Sequence, residues 1–402
     1  MLFSGLISCF AFILFFPETS SRHSTISKTQ GISDSGRIYN NASYERYNES
    51  SFNARNDLEG SQSTPSLQVY NKSSSTVRGD LQHSQPMSSF RNNTNETVLQ
   101  NKKISCSHEH TFPVMLLYRS NKTKSSCFRY VLINENFCRK RYPKIFVIAI
   151  VHSHPKNFKR RSLIRRTWGN NEFYEKFKLA VVFAMGEDPL HPSVQTTLQR
   201  EWETYEDIVQ FNFTDTYHNL SLKAISWLNW AAKYCPTAKY ILKVDDDMYV
   251  NTFGIMRFFR KHEPLKSSTK AFYCFVWTGM GTDRNKKGRW YVSYEEFNGT
   301  KYPRYCSGSS YSLSMQAVQP LVDSVERTPF LWVDDVYITG LLANTANVKH
   351  VDMESIYKFH DHNDRHFFDT PFVFFHSPRS LNKKYALWKK TLEFCKTADC
   401  YN

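Results

Sequence analysis

The 402-residue chain has no GxGxxG fingerprint behind its first buried strand, which argues against the usual dinucleotide site. It has no CxxC pair and no Cys/His ligand spacing, so no zinc site is expected. Its 52 Lys and Arg exceed its 37 Asp and Glu, for a net charge of +15. Yet no basic run is long enough for a nucleic-acid arm. The scattered charge reads as a solvated surface, with a few residues free for an anionic nucleotide. No internal repeat is visible. The amino-terminal apolar stretch, Leu2 to Phe16, is about 15 residues long, short for a plasma-membrane span. No basic residue precedes it and no small-x-small site follows it. An uncleaved signal-anchor in a thinner membrane therefore fits better than a cleaved signal peptide.

Four segments follow from composition. Residues 1–17 are the expected signal-anchor. Residues 18–104 are rich in Ser, Asn, Thr, Gln and Arg and carry sequons at Asn41, Asn48, Asn71, Asn92 and Asn95. They cannot bury enough apolar surface to offset chain entropy and read as a disordered, glycosylated stem. Residues 105–142 are a cysteine-containing lead-in, and 143–402 form the main domain. Apart from Cys9, the chain has eight cysteines: 106, 127, 138, 235, 274, 306, 395 and 400. An even number in the secretory pathway suggests disulfides of undetermined pairing.

The stretch Lys239–Asn251, KYILKVDDDMYVN, organises the main domain. Tyr240, Ile241, Leu242 and Val244 make a buried strand, broken only by Lys243. Asp245, Asp246 and Asp247 follow at its carboxyl end, and Asn251 is placed to cap the next helix. Three adjacent carboxylates repel one another. A hard divalent cation, Mg²⁺ or Mn²⁺, offsets that and commonly works beside phosphates. A solvated acidic turn is the plainer alternative. The setting favours the metal, because open α/β sheets bind ligands at carboxyl strand ends.

Apolar runs at 144–153, 179–186 and 207–213 read as strands, with helical segments at 160–169, 194–205 and 218–235 between them. Strand and helix alternate, which implies a βαβ-wound, mostly parallel, Rossmann-like sheet with flanking helices. Later strands are expected at 271–277, 289–294 and 372–377, and 302–314 reads as a Gly/Ser loop running into a strand. A helix starting at Val333 carries Asp334 and Asp335 in its first turn. Arg160, Arg161, Arg165 and Arg166 stand after the first strand, and His376 ends a late one. Such a set suits metal-assisted transfer from a nucleotide-sugar. The metal neutralises the departing diphosphate, arginines hold phosphates, and a separate carboxylate deprotonates the attacking hydroxyl. The tract His360, His362, His366 reads as a polar loop. Trp227 and Trp230 read as core or stacking surface.

Seven blocks in order now carry a resemblance: 160–169, 184–186, 207–227, 234–251, 302–314, 333–340 and 374–377. The chain resembles the inverting β-1,3-glycosyltransferases of the Golgi, which hold the β-1,3-galactosyltransferases and β-1,3-N-acetylglucosaminyltransferases. The resemblance implies a single-domain, metal-dependent GT-A-like fold. It also implies Golgi residence as a single-pass type II membrane protein with a lumenal catalytic domain. The implied reaction transfers a hexose, galactose or N-acetylglucosamine, from a UDP-sugar to a hydroxyl of a glycoprotein or glycolipid glycan. By position it makes Asp247 and His376 ligands of Mn²⁺ (or Mg²⁺). Asp245 and Asp246 lie near ribose and uracil, Arg161, Arg165 and Trp168 shape the donor pocket, and Asp335 is the base. The family's usual Glu-Asp-Val is Asp334-Asp335-Val336 here, and Ala184-Met185 replaces an aliphatic run. The alternative is an inactive homologue that binds UDP or glycan; a secreted phosphodiesterase would need a tighter His/Asp set than is visible.

Overall fold

The structure, a computed structural model, describes Cys106, residues 109–266, 269–358, 374–376, 380–397 and Cys400. The expected signal-anchor 1–17, the stem 18–104 and the histidine tract 360–366 lie outside the described residues. Among the described residues, no helix is long and apolar enough to cross a membrane.

A hairpin of β1 (Thr111–Leu117) and β2 (Thr123–Leu132) comes first. Then follow β3 (Val147–His152), α1 (Phe158–Arg165), α2 (Glu172–Phe177), β4 (Leu179–Glu187), α3 (Pro192–Tyr205), β5 (Ile208–Thr214), α4 (Leu220–Tyr234) and β6 (Tyr240–Asp245). Beyond β6 lie β7 (Met248–Val250), α5 (Thr252–Lys266), β8 (Ala271–Cys274), β9 (Val276–Trp277), β10 (Tyr305–Cys306), β11 (Ser310–Ser314) and α6 (Met315–Ser324). A π-helical turn, Val336–Leu342, leads through α7 (Ala343–Thr345) to β12 (Lys349–Asp352), β13 (Tyr357–Lys358), β14 (Phe374–His376) and α8 (Leu381–Thr397).

The main sheet has nine strands in the order β1-β2-β5-β4-β3-β6-β11-β8-β12. β5, β4, β3 and β6 run parallel. β11 lies antiparallel to both β6 and β8. Every residue of β3 is buried, as its unbroken apolar sequence requires of a strand covered on both faces. One face packs against α4 and α6 through Ala224, Trp227, Leu228, Ala317 and Leu321. The other packs against α1, α2, α5 and α8 through Ile164, Phe173, Phe253 and Trp388. The mostly parallel sheet with flanking helices is thus the architecture expected from the sequence.

The winding reverses at β3. The chain moves from β3 to β4 and β5 on one side, then returns to place β6 on the other. Such a reversal opens a crevice at the carboxyl ends of the two strands. His152 and Asp245 are register partners there, so the topology alone delivers the acid triplet to the crevice.

Two expectations are adjusted. The lead-in belongs to the main sheet, since β2 pairs antiparallel with β5. The segment 289–294, expected as a strand, is a loop; its alternating aromatics mimic a strand but find no strand partner. Instead the Arg284 guanidinium donates to the carbonyls of Val292, Phe297 and Gly299 and holds the loop. Asn251 does cap α5, with its Oδ1 accepting the Gly254 N–H at 3.1 Å.

The cysteines pair as 106–127, 138–235, 274–306 and 395–400. The Cys138–Cys235 bond closes 97 residues of chain and ties the lead-in to the end of α4. Replacing both by alanine is expected to cost about 2–5 kcal/mol. Chemical denaturation of the secreted domain measures this; an unchanged midpoint would remove the bond from the account.

Candidate active site

Asp245 ends β6, and Asp246 and Asp247 form the turn into β7. The three carboxylates have different partners. Asp246 is buried, and its oxygens accept from Ser153 Oγ at 2.7 Å, Asn157 Nδ2 at 2.8 Å and Arg160 at 2.6 Å. It therefore clamps the loop between β3 and α1 to the triplet. Asp247, like Asp245 with its side chain 40% exposed, has oxygens open to a cation. Its side chain is 34% exposed, and its nearest cationic neighbour, Arg160, is 3.6 Å away. Its carbonyl accepts from Lys384 on α8, which fixes the turn from behind.

Asp245 lies on the floor of the cleft, its carboxylate held by Lys243 at 2.7 Å. Loss of water raises its carboxyl; Lys243 opposes this and Asp247 adds to it, with a net push up to about 7. Lys243 itself is fully buried. Burial alone would lower its ammonium, but Asp245, Asp334 and Asp335 outweigh burial and raise it. The same ammonium donates to the Gly308 carbonyl.

Gly308 in turn seats the second acid pair. A Cβ built on it would lie 3.0 Å from Asp335 Cβ and Oδ2, so a side chain there would press the carboxyl aside by a few tenths of an ångström. Asp335 Oδ1 accepts the Val336 N–H at 2.8 Å, where the side chain caps the π-helical turn. Burial, and then the adjacent Asp334, push the Asp335 carboxyl up to about 8; the Val336 amide, Lys243 and the Gly308 amide hold it back. A carboxyl near that value is matched to proton transfer close to neutral pH. His152 stays neutral, because burial and the positive charges of Lys243 and Lys223 keep its pKa well below normal. Trp227 donates to its Nε2 at 2.8 Å.

His376 is placed by its backbone. It ends β14 as the register partner of Met248, one residue from Asp247. Among the described residues, no group of three His, Cys, Asp or Glu is arranged to hold a metal ion. The donor set still fits a hard cation. Asp247 is open, Asp245 is crowded by like charge, and one lysine faces three carboxylates.

Arg161, Arg165 and Trp168, expected to shape the donor pocket, all turn their side chains into the protein. Arg161 is fully buried, and its five N–H donors go to Glu201, Ser153 and the carbonyls of His154 and Pro155. Arg165 forks onto Asp207 at 2.7 Å and reaches Glu201 at 2.6 Å. Neither arginine bonds a triplet carboxylate directly; Arg161 meets Asp246 only through Ser153. Trp168 is 2% exposed in the core, where it can shape the crevice wall only through packing. The arginine that reaches the acids is Arg160. Trp227 and Trp230 are fully buried and offer no stacking surface.

This geometry meets a family. A model described as "Galactosyltransferase" matches residues 159–354, which span the acid triplet, Gly308 and Asp335. That stretch is similar to the galactosyltransferase family. Its relatives agree. The chain is 32% identical over 228 residues to the lactosylceramide 1,3-N-acetyl-beta-D-glucosaminyltransferase A of Xenopus laevis, covering 55% of this chain and 59% of that protein. It is 31% identical to beta-1,3-galactosyltransferase 2 of Mus musculus, covering 54% and 51%. It is 30% identical to beta-1,3-galactosyltransferase 1 of Homo sapiens, covering 55% and 66%. The match thus spans between half and two thirds of each relative. Among solved structures, a galactosyltransferase, LgtC, in complex with donor and acceptor sugar analogs aligns at 8% identity and a TM-score of 0.32, over 60% of this chain and 95% of that one. That likeness is too slight to bear on the fold. β14 and α8 lie beyond the matched residues, yet they complete the wall behind Asp247.

The division between the arginines is testable. Arg161→Met leaves Glu201 short of its main partner inside the protein and is expected to cost about 3–5 kcal/mol. Arg160→Met should leave the urea midpoint near wild type and weaken UDP binding in the presence of Mn²⁺. The reverse pattern would return the donor contact to Arg161.

Proposed function

We propose that the domain is an inverting, metal-dependent β-1,3-hexosyltransferase. It takes galactose or N-acetylglucosamine from a UDP-sugar and transfers it to a glycan hydroxyl on a glycoprotein or glycolipid. The observation that carries this reading is the line Asp245–Lys243–Gly308–Asp335. It sets an acid cluster suited to a cation and a separate buried carboxyl on opposite sides of one lysine.

In this reading Asp247 and His376 hold Mn²⁺ or Mg²⁺, and the ion supplies charge neutralisation for the departing diphosphate. Arg160 adds positive charge at the same edge. Asp245 orients the ribose, and Asp246 keeps the nucleotide-side loop in place through Ser153 and Asn157. Asp335 takes the proton from the acceptor hydroxyl as that oxygen attacks the sugar's anomeric carbon. The bond to UDP breaks on the opposite face, so an α-linked donor gives a β-linked product. Asp335 is well suited because it is kept off the cation. Lys243 favours its anion without neutralising it by direct contact.

The four disulfides favour an oxidising compartment. Together with the apolar amino-terminal segment, this supports a Golgi lumenal domain tethered as a type II membrane protein.

A donor screen tests the reaction. UDP-galactose and UDP-N-acetylglucosamine are offered with β-glycoside acceptors in Mn²⁺ or EDTA. Transfer abolished by EDTA is expected. Asp335→Asn should lower kcat roughly 10²–10⁴-fold while UDP binding persists, and Asp247→Ala should remove the Mn²⁺ dependence of that binding. Unchanged turnover in Asp335→Asn would overturn the base assignment. UDP binding with no transfer from any donor would favour an inactive binding homologue.

A further inference from the structure

Beside the second acid pair the surface carries an aromatic platform that the steps above leave unused. Tyr217 lies in the 3₁₀ turn Tyr217–Asn219 just before α4, and its side of the molecule is open, with 39% of the residue exposed. Its hydroxyl is tucked in and accepts from Trp290 Nε1 at 2.6 Å. The Arg289 guanidinium sits 4.5 Å from the Tyr217 ring centre and 5.4 Å from that of Trp290. Behind them the buried Trp332 packs edge-on to Tyr217 at 6.0 Å and against the exposed His218 at 4.1 Å.

The platform is built, not incidental. Arg284 fastens the loop that presents Trp290 through three backbone carbonyls. Ser221, at the start of α4, donates to the Leu331 carbonyl at 2.7 Å and so registers Tyr217 against Trp332. Trp332 stands two residues before Asp334, and the Tyr217 phenol lies within the electrostatic reach of both Asp334 and Asp335. The aromatic surface therefore borders Asp335 from α4 and from the loop before β10. The acid triplet approaches from β6.

We infer that Tyr217, Trp290 and Arg289 form the acceptor subsite and seat a terminal β-linked pyranose whose 3-hydroxyl is equatorial. This rests on the transferase reading and deepens it. A pyranose presents axial C–H groups on its faces and hydroxyls at its rim. Aromatic rings bind the C–H face, and a guanidinium fork binds rim oxygens. An equatorial 3-hydroxyl lies in the ring plane. Stacking the face on the platform leaves that oxygen free at the edge, pointing toward the neighbouring base. The buried Trp227 and Trp230 cannot serve.

The test uses the secreted domain with methyl β-galactoside and methyl β-N-acetylglucosaminide. Saturation-transfer NMR on the wild type should show magnetisation reaching the ring C–H protons of at least one glycoside, and Trp290→Ala with an unchanged melting curve should lose it. In turnover, Trp290→Ala should raise acceptor KM roughly tenfold, about 1.4 kcal/mol, with donor KM unmoved, and Trp290→Phe should recover most of the loss. Tyr217→Ala provides a second variant on the other element. Turnover with acceptor KM unmoved in both variants would overturn the platform and leave the transferase intact. Glycoside binding lost in Trp290→Ala, but with no transfer from any UDP-sugar, would uphold the platform and remove the transferase reading. No saturation transfer to either glycoside in the wild type would overturn the platform.

Discussion

The candidate site depends on one buried ammonium ion. Lys243 interrupts an otherwise apolar strand, with no exposed surface through which water could solvate its charge. A lone charge in that position would be very costly. It is tolerated because Asp245 and the Gly308 carbonyl accept from it and because Asp334 and Asp335 lie within reach. The dependence runs both ways. Four carboxylates converge on this cleft, and without the lysine their repulsion would force protonation or drive the two acid groups apart. The lysine thereby sets the distance between a cation-suited edge and a proton-accepting edge.

The remainder of the domain secures this arrangement from outside. The switch of winding at β3 brings the loop 153–157 over the triplet, and Arg161 holds that loop with three of its five donors. Asp246 ties the loop to the turn. Lys384 on α8 holds the turn from the far side. Gly308, with no side chain, lets β11 and the π-helical turn close on each other around Asp335. Charged groups in the core work as fixed struts here, and each has its partner.

Much of this was legible in the sequence where local pattern decides. Apolar runs announced β3, β4 and β5, and the helical segment at 218–235 announced α4. Three acids at a strand end announced the crevice. What could not be read depends on partners far away in the chain. Four arginines within seven residues point in different directions around α1, and which ones turn inward is decided by Glu201 on α3 and Asp207 just before β5. Lys243 looked like an interruption, since its acceptor is a glycine carbonyl 65 residues on. A lysine inside a buried strand just before an acid run was the available signal. Trp290 was hidden because its aromatic, alternating segment mimics a strand, whereas Arg284 makes it a loop.

The most direct test of the central claim is the pH profile of kcat/KM for Lys243→Met beside the wild type. In the wild type, activity should rise with pH as Asp335, held up to about 8 by burial and Asp334, loses its proton in the free enzyme. Lys243 favours the deprotonated form, so removing its charge raises that carboxyl further. The account predicts that the rising limb moves to higher pH in Lys243→Met and returns toward the wild-type position in Lys243→Arg. A limb that stays in place, or moves to lower pH, would contradict it.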